Sequence, residues 1–175
     1  MRTRPFLIGA GILLLFTACS SPSHFPFNGG QVLHSESQFG VLTAQPDVYR
    51  GQAIKFAGRI VTAETTAQGT LVLADWLPYP KVESDGPKYT GEIPQGRFTV
   101  FYPGSLDADG SLYGNVFLAV GKMKGIQSKT ILRDAPENLP IVTARCLHVW
   151  KTGDSEIEPL DNEYFVMEET YCAES

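Results

Sequence analysis

Apolar and polar residues alternate through much of the chain between residues 51 and 150, and a two-residue period is typical of β-strands. Five segments carry this pattern or a short apolar run, and we expect each to form a strand: residues 53–61, 70–76, 96–102, 116–124 and 141–150. Gly58 interrupts the first segment and indicates a bulge or a bend. A turn is expected at Gly125, after which residues 129–133 extend the fourth strand.

One short segment departs from the strand pattern. Residues 35–44 are typical of a short helix, with Phe39, Val41 and Leu42 as its apolar contacts. Pro46 ends the segment. The sequence therefore predicts a short helix ahead of the first strand.

Five strands, the first of them long and interrupted by a glycine, favour a mainly β fold. The prediction is a five-stranded barrel of the oligonucleotide/oligosaccharide-binding (OB) kind, preceded by the short helix. Closure would remove the exposed edges on which strands of other chains can pair. An open β-sandwich remains the alternative, because periodicity does not reveal which strands pair.

A long excursion separates the second strand from the third. Residues 78–95 contain Pro80, Pro87, Pro94 and an Asp85-Gly86 turn, so we do not expect this segment to pack into the core. Long loops of this kind more often serve recognition than packing. Aromatic residues in or beside this excursion form a possible binding surface for sugars or bases. They are Trp76, Tyr79, Tyr89 and Phe101. The competing interpretation is that these rings fill the barrel interior or cover its end.

The amino terminus has the layout of an export signal. Arg2 and Arg4 precede an uncharged stretch, whose apolar core at residues 6–16 is 11 residues long, whereas a membrane-spanning helix needs about 20. The small residues before Cys19 resemble the lipobox of bacterial lipoproteins, although Phe16 replaces the usual leucine. We therefore expect cleavage before Cys19 and a covalent lipid on its thiol.

The expected organisation is a signal peptide at residues 1–18, a lipidated flexible tether at 19–34, a barrel domain at 35–151 and an acidic extension at 152–175. Cleavage leaves 157 residues with a formal charge of −7, because the signal removes two arginines from a chain of −5. An acidic chain without a Lys/Arg run repels phosphate backbones, so nucleic acid is not an expected partner.

Two cysteines remain once Cys19 is lipidated. In an oxidising compartment we expect Cys146 and Cys172 to form a disulfide that attaches the acidic extension to the barrel. Free thiols are one alternative. A metal site with Cys146, His148 and Cys172 is another, but a fourth ligand is missing, and His24 and His34 lie in the tether.

Chemical motifs are scarce. The sequence lacks a G-x-S-x-G, an H-E-x-x-H and a glycine-rich phosphate loop, so we expect no catalytic residues and no cofactor beyond the lipid. Residues 105–112 match the first half of a calcium loop, but Val116 occupies the position of the bidentate glutamate. Tight turns made by Asp and Gly explain this segment better, and no metal site is predicted.

Several short motifs, in order, resemble the Slp family of outer-membrane lipoproteins. Beyond the lipobox they are Tyr49-Arg50-Gly51, Phe56-Ala57-Gly58-Arg59-Ile60, Thr70-Leu71, Tyr79-Pro80, Gly96-Arg97-Phe98, Gly104-Ser105-Leu106-Asp107, Tyr113 and Gly121. Ala57 and Ala108 depart from the family pattern, and the tail with Cys172 looks like an addition to it.

The resemblance implies an envelope lipoprotein of the outer membrane, associated with starvation and acid stress and without enzymatic activity. Ser20 after the cysteine favours sorting to the outer membrane, with the barrel facing the periplasm. Two hypotheses are consistent with it: a structural or binding module with an envelope protein or glycan as partner, and a periplasmic carrier of a small molecule or ion that uses the barrel mouth.

Overall fold

The structure is a computed structural model that describes residues 29–33, 35–90, 96–106, 112–127, 138–153 and 167–173. Cys19, the signal, most of the tether, the centre of the calcium-like loop and residues 129–133 lie outside these ranges. One α-helix, two 3-10 helices and seven strands are present in the described residues. They are β1 (Gln31–Val32), α1 (Glu36–Ala44), the 3-10 helices Pro46–Tyr49 and Glu83–Asp85, β2 (Ala53–Thr66), β3 (Gly69–Leu77), β4 (Arg97–Tyr102), β5 (Val116–Gln127), β6 (Leu139–Trp150) and β7 (Glu168–Cys172).

Five of the strands close into a barrel in the order β2-β3-β4-β6-β5, with β5 pairing back onto β2. All neighbours are antiparallel except β4 and β6, which run parallel. The predicted mainly β barrel with a short helix is therefore confirmed, and the order of its strands is compatible with the OB-like type. The pairing of β2 with β5 closes the sheet and rules out the open sandwich.

The barrel interior is filled by aromatic side chains from three strands. Phe56, Phe98 and Phe117 are buried, and their ring centroids lie 5.4 to 6.3 Å apart. Gly58 faces them, and a Cβ added there would lie 3.0 Å from the rings of Phe98 and Phe117. The bulge expected at Gly58 lies instead a few residues later, between Ile60 and Thr62. The glycine is needed because the aromatic core approaches the backbone closely.

Helix α1 closes one end of the barrel. Phe39 and Leu42 are buried as expected, whereas Val41, the third expected contact, is exposed. Ser35 caps its first turn in a capping box with Gln38, which satisfies backbone donors that a helix start leaves unpaired. Phe39 stacks on Trp76 with ring centroids 5.3 Å apart, and Leu42 is buried beside it. This end of the barrel, the α1 end, comprises α1, the 3-10 helix Pro46–Tyr49, the start of β2 and residues 122–126 of β5.

The long excursion after β3 is partly core, which corrects the expectation that it is too broken to pack. Its described part, residues 78–90, covers apolar side chains on the outer face of the barrel, among them Leu118 and Trp150. Tyr79 belongs to this second cluster, and a Cβ on Gly86 would lie 3.2 Å from the Trp150 indole. An outer barrel face that is apolar needs a cover, and a chain without regular structure can supply it.

Strand β5 does not turn at Gly125 but continues to Gln127, so the turn expected there was wrong. Gly125 has a φ of +121° and lies at a bulge against β6. The guanidinium of Arg50 packs where a side chain on Gly125 would lie, 2.8 Å from the position of its Cβ. Gly125 therefore provides a backbone conformation that L-residues rarely adopt, together with room for an arginine.

Candidate functional site

Two of the four candidate aromatic residues lie in separate apolar clusters. Trp76 belongs to the main core, where its indole stacks on Phe39, and it is only 5% exposed. Phe101 points to the other face of the sheet, as the alternation along β4 predicts, and it packs half-buried against Leu71 and Leu73. Trp76 therefore supports the helix that closes the barrel and is not a surface ring.

The other two candidates lie in the excursion. Tyr79 is buried and donates a hydrogen bond of 2.7 Å to the Glu83 carboxylate, whose other contact is the Lys55 ammonium at 3.0 Å. Burial, together with this hydrogen bond and the negative charge of Glu83, raises the pKa of Tyr79 well above the ordinary tyrosine value. Tyr89 is half-buried beneath the Arg59 guanidinium. The four rings do not form one exposed surface.

A row of charges crosses the barrel wall, and the sequence analysis missed it. Strand register places Arg59 of β2 opposite Asp75 of β3, and Asp75 opposite Arg97 of β4. Asp75 accepts a hydrogen bond of 2.9 Å from Arg97 and lies 4.0 Å from the Arg59 guanidinium. The side chains of Arg59 and Asp75 are 10% and 6% exposed. Charge at these positions was visible in the sequence, but only the register brings the three together.

Two tyrosines flank the guanidinium of Arg59. Its carbon lies 4.5 Å from the ring centroid of Tyr89 and 5.4 Å from that of Tyr113, distances at which a cation is attracted to an aromatic face. Arg59 therefore links the wall of the barrel to the excursion and to the loop before β5. Its contacts are those of a structural cation, because two rings and a carboxylate already surround it.

Strand β7 adds to the barrel along the second half of β6, and the predicted disulfide is present between Cys146 and Cys172. Cys146 and Cys172 lie directly opposite each other in the ladder, with Cα atoms 4.1 Å apart. The neighbouring pair, Arg145 and Ala173, is joined by a backbone hydrogen bond, so the two cysteines form a pair without one, and the side chains of such pairs are the closest in an antiparallel sheet. Because both sulfurs are in the bond, neither is available as a thiolate ligand. The alternative metal site would therefore need this disulfide to be reduced.

His148 lies two residues from the disulfide and is almost fully buried. Its Nδ1 is 2.7 Å from the Thr170 hydroxyl, and its Nε2 is 3.3 Å from a carboxylate oxygen of Glu168. The indole of Trp150 donates to the same carboxylate at 3.0 Å. These contacts attach β7 to the barrel wall. Within the described ranges, no three His, Cys, Asp or Glu side chains are grouped as a metal site would require.

The described chain enters the fold at the α1 end. Strand β1 pairs in parallel with the start of β2, where Gln31 lies opposite Ile54, and on the other edge of β2 Ala53 lies opposite Lys122. Cys19, the predicted lipidation site, precedes this point by about a dozen residues and is outside the described ranges. Any lipid on Cys19 is therefore connected to the barrel at the α1 end.

A family model described as "Outer membrane lipoprotein Slp family" matches residues 16–172, which is nearly the whole chain. The chain belongs to the Slp family of outer-membrane lipoproteins. The match begins before Cys19 and ends at Cys172, so it includes β7. The expectation that the tail is an addition to the Slp pattern was therefore wrong. Comparison with curated proteins found no match, and comparison with solved structures found none either.

Membership of the Slp family places the chain among outer-membrane lipoproteins. None of the helices in the described part of the chain has the length and apolar character needed to cross a membrane.

Proposed function

We propose that this Slp-family protein is held on the outer membrane by lipid attached to Cys19 and that its barrel is a non-enzymatic structural or binding module facing the periplasm. The observation that carries the proposal is the family match, which begins at residue 16 and so includes Ala18-Cys19. Arg2, Arg4 and the 11-residue apolar core at residues 6–16 support export and cleavage at this point.

Acyl-chain energetics explain why one cysteine is enough. Each buried methylene contributes about 0.8 kcal/mol, so a single chain binds marginally while two or three chains anchor stably. A cysteine with a diacylglyceryl group therefore holds the barrel at the membrane without any membrane-crossing segment.

The packing of the barrel supports a module rather than a carrier. Phe56, Phe98 and Phe117 occupy the centre, and α1 closes one end with Phe39 and Leu42. A ligand inside the barrel would have to displace these rings at a cost comparable to that of a large core cavity, several kcal/mol. Partners would therefore meet the outer surface, and an envelope protein or glycan is the proposed class. The link to starvation and acid stress rests on the family resemblance alone.

The lipid anchor is tested by replacing one cysteine. Cys19→Ala should abolish the incorporation of labelled fatty acid into the protein, whereas Ser21→Ala, a matched change in the same segment, should leave it unchanged. Ser20→Asp should retain the protein in the inner membrane if the residue after the cysteine directs sorting. Fatty acid incorporated into Cys19→Ala as into the unsubstituted protein would contradict the lipid anchor.

The module hypothesis is tested by binding. The mature protein should capture an envelope partner from intact cells by crosslinking through residues 79–89, and its melting temperature should not rise with small molecules or ions. A ligand-dependent rise in melting temperature would instead favour the carrier hypothesis.

A further inference from the structure

The α1 end presents exposed apolar side chains on rigid elements. Of the six large apolar side chains exposed in the described ranges, three lie there: Val41, Val48 and Ile126, which are 47%, 61% and 43% exposed. They are not on loose loops, because β5 and the segment after the 3-10 helix are joined by backbone hydrogen bonds between Gly51 and Met123 and between Met123 and Gln52.

Positive charge accompanies these apolar side chains. Lys122 and Lys124 are exposed on β5, and Arg50 donates to the Lys124 carbonyl at 2.8 Å while pairing with Asp47. Glu36, in the first turn of α1, is a further carboxylate at this end, and Glu83 pairs with Lys55 near the start of β2 at 3.0 Å. The α1 end therefore has a small excess of cations in a chain whose formal charge is −5.

The far end of the barrel has the opposite character. Trp150 lies opposite Val116, the first residue of β5, and next to them β7 carries Glu168 and Glu169. Lys151 pairs with Glu169 at 3.1 Å, while Glu168 is 40% exposed. The barrel thus has a more basic and apolar end, where the chain enters, and a more acidic end away from it.

The tether keeps the α1 end close to the membrane. Ten residues separate Cys19 from Gly30, and ten residues reach at most about 35 Å. The chain enters beside β2, about 10 Å from Lys122 across two strand spacings. A short tether gives the α1 end a local concentration at the lipid surface of about millimolar, so even a weak contact is populated.

We infer that the α1 end is a membrane-contact face: Val41, Val48 and Ile126 meet the headgroup region of an anionic bilayer, and Lys122 and Lys124 face its negative charge. The inference rests on the proposed lipid anchor. It orients the barrel with β7 and its carboxylates away from the membrane. Anionic lipid is the occupant that fits, because cations and apolar side chains together match a headgroup layer, and because the tether ends at this face.

The test places an indole at each end of β5 in the mature lipidated protein. Ile126→Trp reports on the α1 end, and Tyr113→Trp is the matched control, since Tyr113 is 49% exposed and lies just before Val116, which is about 33 Å from Ile126 along β5. The vesicles contain phosphatidylcholine with brominated acyl chains, alone or mixed with phosphatidylglycerol. The unsubstituted protein gives the background emission of the buried Trp76 and Trp150, and this background is subtracted from the emission of each variant.

We expect quenching of the indole at position 126 but not at position 113, and stronger quenching with phosphatidylglycerol than without. Lys122→Gln or Lys124→Gln, each added to Ile126→Trp, should lower the ratio of protein with the α1 end on the membrane to protein with it off the membrane about five-fold. Added salt should lower the same ratio, because it screens the attraction between the lysines and the lipid. Equal quenching at the two positions, or quenching unaffected by both lysine changes, would overturn the inference. Flotation with the vesicles is read separately: protein that does not float contradicts the lipid anchor, whereas protein that floats without positional quenching contradicts only the contact face.

Discussion

Asp75 is the centre of the charge row across the barrel wall, and we predict that Asp75→Asn destabilises the protein by about 2–3 kcal/mol. Asparagine keeps the shape of the side chain and removes its charge. At 4.0 Å and an effective dielectric constant of about 20, the attraction between Arg59 and Asp75 is about 4 kcal/mol. Arg97 adds little, because its side chain is 44% exposed and solvent screens the pair. Relief of the desolvation of Asp75 offsets part of the loss.

Urea unfolding of the disulfide-intact protein measures the effect. With a slope of about 2 kcal/mol per molar urea for a chain of this size, the midpoint should fall by about 1 M or slightly more. The double variant with Arg59→Met should recover part of the loss, because the buried cation is removed together with its partner. A midpoint for Asp75→Asn within about 0.25 M of the unsubstituted protein, or a double variant that is no better than additive, would refute this reasoning.

Three further predictions concern other contacts. Tyr79→Phe should be less stable near neutral pH by about 1 kcal/mol, because it loses the hydrogen bond to Glu83. Above pH 10 the stability of the unsubstituted protein should fall more steeply than that of Tyr79→Phe, because the raised pKa keeps Tyr79 protonated only in the folded state. Equal slopes of stability against pH, measured by urea unfolding, would contradict this. Cys172→Ser should lower the free energy of unfolding by about 3.5 kcal/mol, since the disulfide closes a loop of 26 residues, and reduction should then change nothing further. Gly58→Ala should lower the free energy of unfolding by about 1–3 kcal/mol, because its Cβ would lie 2.8 Å from the Asp75 carbonyl oxygen. Gly40→Ala, in open space on α1, should instead raise it by up to about 1 kcal/mol. Similar melting temperatures for the two variants would contradict this prediction.

Alternation was enough to predict the barrel strands, but their ends depended on tertiary structure. The first strand was expected to stop at residue 61, whereas β2 runs to Thr66. Its last residues are half-buried or exposed and lack the apolar alternation. They are strand because they pair with β3, past Arg59, the last residue of β2 that pairs with β5. Boundaries set by a partner strand leave little trace in local sequence.

Strand β7 was missed for a related reason. Residues 168–172 carry two glutamates and alternate between exposed and half-buried positions, so they show no apolar face. Pairing with β6, the disulfide and the contacts of His148 hold them in the sheet. The cysteine pair predicted the bridge, because two cysteines remain after lipidation, but it did not reveal a strand.

The candidate site was predicted less well than the fold. Aromatic residues near a proline-rich excursion indicated a binding surface, yet Trp76 and Tyr79 are buried, because one supports α1 and the other covers the outer face of the barrel. The row of Arg59, Asp75 and Arg97 depends on strand register, which alternation does not specify.

The mass of the amino-terminal peptide of the mature protein, purified from the outer membrane, tests the central claim most directly. The account predicts a chain that begins at Cys19, with the cysteine heavier by a diacylglyceryl group and one further acyl chain. An unmodified Cys19, or a mature chain that begins at any other residue, would contradict it.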